Sequence, residues 1–545
     1  MSSPPPVARP ARAAAFSPTS GDRSGRAGET VFLLVSLATI ACWVRLYRWY
    51  GLFENKNNTH FAFEKIPGQF DSPTLRWTLA LFVLISALYA AGYVIIRWAP
   101  RISRKIKLGV AVAVLGPAAI NVALYPVGAL DVFNYMIEIK LAYHYHVNPY
   151  LETFKAFRSD SYALPAFLVD TRLFYGPVWL LVSWLPGAVV GYTDFFHTLL
   201  AMKLLNALLL ALTGLTIFRA HRDDERRRWL ALYAFLANPV VLFEGLANAH
   251  NDVMMTCFLI GALVALRGRS GLAGALLAAS ALVKFFTAAL APLFVAVALL
   301  HRWSPRRIAF SLAWTSAIVV VACAPFWSGG QMVDGLRKGT ATSQQMDHVS
   351  VYSLAQQYER RQEALRLTRA QQNTSFTRNF LATYKLSSDA KARLQRIFGG
   401  AFVVLALLLL LGVKRGRPLE AAAIDTLILF SLLLTNLYPW YLIPVFALLA
   451  LRRDALGTAY LFVATGLGLA YYPMYVWAHF NSGWEKFHVH LFLSLFLTVP
   501  MLVYLLAEAG RWAAGWTLTR QPAATPSEGP QERTMGRQPR VTSSS

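Results

Sequence analysis

The chain has 545 residues, 56% of them hydrophobic and 15% charged, with a mean hydropathy of +0.42; a typical soluble domain carries about 25% charged residues. These values exclude a disordered chain, a collagen-like repeat and a small disulfide scaffold, and the three cysteines (Cys42, Cys257, Cys323) lie in apolar runs without zinc-ligand spacing. The net charge of +24 comes from 52 basic and 28 acidic residues. The basic residues fall in short clusters at alternate ends of apolar runs, which is the positive-inside pattern rather than a nucleic-acid surface.

In chain order, residues 1–29 are rich in Pro, Ala, Ser and Arg and read as a disordered cytoplasmic arm. About 20 apolar residues are needed to cross ~30 Å of hydrocarbon. That ruler places spans near 31–50, 75–97, 108–127, 195–218, 229–243, 253–267, 271–284 and 285–300. Further spans lie near 308–325, 398–413, 420–437, 440–451, 457–475 and 488–509. The expectation is an all-α polytopic membrane helical bundle with about 12–14 transmembrane helices and both termini cytoplasmic. The short spans 271–284, 285–300 and 440–451 read as broken helices, and 174–191 as a juxtamembrane or re-entrant helix. Residues 30–512 form the transmembrane domain, with extracytoplasmic loops near 128–172 and 326–397. The second loop carries helical spacing from Leu354 to Leu367. The basic tail, 513–545, reads as disordered.

Asp131 stands where the third span leaves the membrane, with Asn134, Tyr135 and Glu138 at three- and four-residue spacing. Two readings remain open for it. One is a helix N-cap worth about 1 kcal/mol; the other is a carboxylate able to take a proton from a sugar hydroxyl. The run Tyr143-His-Tyr-His146 fits an interfacial aromatic belt better than a metal site, because residues two apart on a helix diverge and no third ligand is adjacent. Glu244-Gly-Leu-Ala-Asn-Ala-His-Asn-Asp252 is either a capped turn or a cluster of hydrogen-bonding groups facing a cavity, and the cost of polar groups in a membrane favours the second. Lys284 interrupts an apolar stretch and either snorkels to the interface or meets an anionic lipid phosphate, with Arg172 beside Tyr175-Gly-Pro-Val-Trp179 as a second cation. Aromatic belts alone explain Asn436-Leu-Tyr-Pro-Trp-Tyr441 and Tyr471-Tyr-Pro-Met-Tyr475.

The ordered succession of Asp131, Asn134, Tyr135, Asn148-Pro-Tyr150, Tyr175-Gly-Pro-Val-Trp179, His250-Asn-Asp252, Leu282-Val-Lys284 and Tyr438-Pro-Trp-Tyr441 resembles the polytopic type C glycosyltransferases. The closest likeness is to their bacterial polyprenyl-phosphate-mannose-dependent α-mannosyltransferase branch, over roughly residues 108–451. Two departures stand out. Asp131 follows the third span where many relatives place it after the first, and the second acidic residue that some relatives carry beside it is absent.

The resemblance implies transfer of a sugar, mannose by family weight, from a polyprenyl-phosphate donor to a glycan or lipid-linked acceptor at the outer face of a bacterial plasma membrane. It implies Asp131 as general base in one inverting displacement, with Lys284 and Arg172 on the donor phosphate. Asn134, Tyr135, Tyr175, His250, Asn251, Asp252, Tyr438 and Trp440 would bind sugar or acceptor. No cofactor is expected, a divalent metal is not favoured, and the partners are donor, acceptor and membrane lipids, not nucleic acid. The rival class is a transporter or flippase for a lipid-linked or sugar substrate. Large outer loops, a one-sided site and the absence of a visible repeat weigh against it.

Overall fold

Long apolar runs dictate helices, because in hydrocarbon every backbone N–H and C=O must be bonded internally and an α-helix does so within one segment. The computed structural model describes residues 21–55, 72–343, 350–368, 387–434, 436–452 and 454–518, and among these the protein is all-α. The first half comprises α1 (Gly21–Tyr50), α2 (Ser72–Trp98), α3 (Arg104–Val122), α4 (Asp131–Tyr143), α5 (Pro177–Val190), α6 (Phe195–Ala220), α7 (Glu225–Leu236), α8 (Pro239–Leu242) and α9 (Asp252–Arg267). The second comprises α10 (Ala273–Ala281), α11 (Ala291–Leu300), α12 (Pro305–Cys323), α13 (Gln331–Ser343), α14 (Val351–Thr368), α15 (Ser388–Lys414), α16 (Leu419–Leu433), α17 (Ile443–Leu451), α18 (Ala455–Val476) and α19 (Lys486–Leu518).

Among the described residues, eight helices are long and apolar enough to cross a membrane: α1, α2, α3, α6, α12, α15, α18 and α19. A ninth results if α7 and α8, bent by 50° at their junction, count as one span. Eight or nine of the expected 12–14 crossings are thus long, regular helices among the described residues, and the others fall on shorter or broken ones. The runs near 253–267, 271–284, 420–437 and 440–451 fold as α9, α10, α16 and α17, of 16, 9, 15 and 9 residues. The run 285–300 breaks into a 3-10 turn, Phe285–Leu290, and the ten-residue α11. Hydropathy alone cannot separate a lipid-facing helix from one enclosed by protein, and α17 is buried at every position. By contrast α12 and α15 leave nearly all of their apolar surface exposed.

Helix α1 begins at Gly21, so residues 21–29 of the expected arm are helical, and α19 carries helix to Leu518 of the expected tail. Residues 1–20 and 519–545 of those segments, and 344–349 and 369–386 of the second outer loop, lie outside the described residues. The expected helix around Leu354–Leu367 is α14, and α5 is a short apolar helix where a juxtamembrane or re-entrant one was expected.

Three devices position the polar interior. The first is a backbone contact between distant segments: Gly176 N–H donates to Val283 O and Val178 N–H to Leu282 O, each at 3.0 Å. A Cβ at Gly176 would lie 2.0 Å from Leu282 O, so only glycine permits this approach. The second is a clamp from α6 onto the polar loop after α8. Lys203 is fully buried and donates to Leu124 O and Ala247 O at 2.6 Å and Leu246 O at 3.0 Å. One turn on, Asn206 donates to Gly245 O (2.9 Å) and His250 O (3.0 Å). The third is the closed outer segment, where Lys140 pairs with Asp160 at 2.7 Å and Tyr150 donates to Tyr175 O at 3.0 Å.

Gly176→Ala should lower stability by about 1–3 kcal/mol, the usual cost of overpacking, read as a fall in detergent melting temperature. Gly466→Ala is the control, since nothing lies within 4 Å of a Cβ there. Equal melting of the two variants would remove the Gly176 contact from the argument.

Candidate active site

Asp131 is the first residue of α4; the N-cap position belongs to Leu130, which makes no side-chain cap bond. The N-cap reading of Asp131 therefore does not hold. Its carboxylate instead accepts from its own backbone N–H and from the Tyr175 phenol. Tyr175 sits there because of the Gly176 contact, and Tyr135, one turn along α4, packs edge-on against Tyr175 and Trp179 at 5.3 and 5.1 Å. Burial pushes the Asp131 carboxyl up to about 6; the Lys284 ammonium opposes this and the Asp252 charge adds to it.

Lys284 lies in the break between α10 and the Phe285–Leu290 turn, where an ordinary helix would have carried it round to another face. Its ammonium reaches Asp252 Oδ1 at 3.0 Å and Oδ2 at 2.9 Å, and stands 4.1 Å over the Tyr441 ring. Asp252, expected to orient a sugar, is thus turned onto Lys284, and it is fully buried at the first position of α9. The preceding residues follow the Phe243–Ala247 π-turn, a geometry frequent at functional sites. Glu244 Oε2 accepts from Asn248 at 3.0 Å and from Tyr472 at 3.4 Å, and lies 3.4 Å from His250 Nε2 without hydrogen-bond alignment. His250 stacks on Trp440 at 4.0 Å and Trp440 on Tyr438 at 4.4 Å. Asn251 is buried with neither side-chain polar atom bonded among the described residues.

The structure thus brings Asp131, Tyr135, Tyr175, Asp252 and Lys284 into one buried group, with His250, Asn251, Tyr438 and Trp440 beside it. Three expectations change. Asn134 is turned into the protein, its Oδ1 accepting from Phe167 and Leu168 N–H at 3.0 Å, so it holds the outer loop. Arg172 is half-buried and stands in the electrostatic reach of Asp334 on α13. Trp440, expected as an open sugar platform, makes both of its closest stacking contacts with the protein's own rings.

Sequence reasoning missed Tyr441, which an aromatic-belt explanation had absorbed, and Lys203, which as a lone lysine within an apolar helix carried the signal of a functional or structural charge. It also left unassigned Glu138, a buried carboxyl two turns along α4 from Asp131. Among the described residues, no three His, Cys, Asp or Glu side chains converge as metal ligands do.

Residues 23–301, just over half of the chain, match the family model described as "Alpha-(1->6)-mannopyranosyltransferase, N-terminal domain". The chain belongs to the alpha-(1->6)-mannopyranosyltransferase family. Residues 173–436 also match glycosyltransferase family 87. Alpha-(1->6)-mannopyranosyltransferase A of Corynebacterium glutamicum is 30% identical over 133 residues, a stretch that covers 24% of this chain and only 27% of that relative. The protein is an integral-membrane member of a glycosyltransferase family of type C architecture. The first match takes in Asp131, Tyr175, His250–Asp252 and Lys284, whereas Tyr438 and Trp440 lie beyond both.

Within this mannopyranosyltransferase-family site, breaking the Lys284–Asp252 pair from either side leaves a buried charge uncompensated. Lys284→Met and Asp252→Leu should each cost about 3–5 kcal/mol, and the double variant clearly less than their sum. Additive losses in detergent unfolding would show that the two groups are not coupled.

Proposed function

We propose that this protein transfers mannose from a polyprenyl-phosphate donor to a glycan or lipid-linked acceptor at the extracytoplasmic face of the membrane. The observation that carries the reading is a partly buried carboxylate, Asp131, beside an ammonium, Lys284, that is braced rather than free. Asp131 takes the proton from the acceptor hydroxyl as its oxygen attacks the anomeric carbon. The bond from that carbon to the lipid phosphate breaks in the same step, and the phosphate leaves with the electron pair. A single displacement inverts the centre, so an α-linked product, as in the relative's name, requires a β-linked donor.

A lipid phosphate is already a good leaving group, so the need is for hydrogen bonds to its growing negative charge rather than for a general acid. Lys284 carries three N–H donors, and its pairing with Asp252 holds the ammonium in place without using all of them. Arg172 is the weaker candidate for the phosphate. His250 and Asn251 orient sugar hydroxyls, and Tyr135, Tyr175, Tyr438 and Trp440 shape the site around them. The positive clusters at alternate span ends support cytoplasmic termini and an outward-facing site. We take the reaction to need no metal, because Lys284 supplies the cation at the phosphate; undiminished transfer in chelator is the expected result.

The decisive assay is transfer of labelled mannose from polyprenyl-phosphate-mannose in membranes. Asp131→Asn should lower it by about 100–10,000-fold, the range for removal of a general base, while donor binding persists. Transfer unaffected by the substitution would remove Asp131 from the mechanism. A base that is active only when deprotonated also sets a pH limb: kcat/KM should fall as pH drops through about 6 and level off above it. A flat profile between pH 5 and 7 would contradict the assignment.

A further inference from the structure

The loop from Glu244 to Asp252 is built more rigidly than an inter-helix turn needs to be. Lys203 and Asn206 of α6 fix four of its backbone carbonyls, at Gly245, Leu246, Ala247 and His250. Yet the side chains that this scaffold holds are not saturated. Glu244 is fully buried, and while Oε2 is engaged by Asn248 and Tyr472, Oε1 meets no hydrogen-bonding group among the described residues. The same is true of both polar atoms of Asn251 and of Nδ1 of His250, both of which are also buried. Glu244 thus keeps one carboxyl oxygen in hand, where Asp252 spends both of its oxygens on Lys284. Three adjacent buried groups with spare capacity, on one clamped loop, form a subsite for a ligand rich in hydroxyls.

The order of contacts indicates which sugar. Tyr441 lies against Lys284, and its neighbour Trp440 stacks on His250, whose Nε2 is 3.4 Å from Glu244 Oε2. This line leads away from the ammonium that faces the donor phosphate, and the first group bonded to that phosphate is the hexose being transferred. We infer that Glu244 is a specificity-determining residue: its free carboxylate oxygen accepts a hydrogen bond from a ring hydroxyl of the donor hexose, with His250 and Asn251 holding neighbouring hydroxyls. The inference rests on the transferase reading above and deepens it by naming the group that selects the sugar.

The test compares polyprenyl-phosphate-mannose with its 2-, 3-, 4- and 6-deoxy analogues as donors for the full-length protein in membranes. The wild type should discriminate against one analogue by about 5–10-fold in kcat/KM, the net worth of a hydrogen bond, and Glu244→Ala should reduce that ratio to within about twofold. A ratio that is unchanged in the variant for every analogue overturns the inference, since a merely structural glutamate would slow all donors alike. If Glu244→Ala does not accumulate, Glu244→Leu, which also lacks an acceptor, is put through the same comparison: a reduced ratio supports the role and an unchanged one defeats it. A wild type that transfers mannose but tolerates every deoxy donor defeats the Glu244 assignment alone. A wild type that transfers from no lipid-linked hexose overturns the transferase reading and this assignment with it.

Discussion

The pair of Lys284 and Asp252 is the contact around which the rest of the site is arranged. An ammonium or a carboxylate alone in a membrane interior carries a penalty of several kcal/mol, and two held within 3 Å relieve one another only when both are fixed. Fixing them takes two breaks in otherwise regular helices. Lys284 sits where α10 gives way to a 3-10 turn, and Asp252 opens α9 after a π-turn. The short, interrupted helices that look inefficient as membrane spans are thus what lets polar side chains from separate segments point into one place. They lie within the bundle, so their exposed backbone groups meet protein rather than lipid.

A second constraint follows from the first. A loop carrying Glu244, Asn248, His250, Asn251 and Asp252 in the body of a helical bundle has backbone carbonyls to satisfy as well as side chains. Lys203 answers that need in an unusual way, with a buried cation donating to the carbonyls that end α3 and the π-turn, where helix dipoles place partial negative charge. The arrangement fixes the loop from behind and leaves its side chains on the other side for chemistry.

The opposite end of the bundle uses charge differently. Tyr472 of α18 borders the site, while Asp454 caps the start of that helix some 25 Å away by helical rise. There Arg417 meets Asp425 and Glu508, Arg452 meets Glu508 at 2.6 Å, and Arg511 meets Asp454 at 2.9 Å. This network ties the ends of α15 to α19 together through ion pairs between side chains of separate segments.

The sequence by itself determined the class of molecule, because run length and hydropathy translate directly into membrane helices. It also singled out Asp131, His250–Asp252 and Lys284, since polar residues in apolar surroundings are costly enough to need a reason. It could not decide which of them face one another. Asn134 and Asp131 share a face of α4 in the sequence pattern, yet the fold turns one onto a loop backbone and leaves the other beside Tyr175. Arg172 and Lys284 looked like equal cations, and only the tertiary structure sends the first toward Asp334 and the second onto Asp252. Run length does not separate the long spans from the short, broken helices for a related reason: an apolar helix reads the same whether lipid or protein surrounds it. Pairing across distant segments depends on breaks, π-turns and a glycine-enabled backbone contact, and those are settled by packing, not by periodicity.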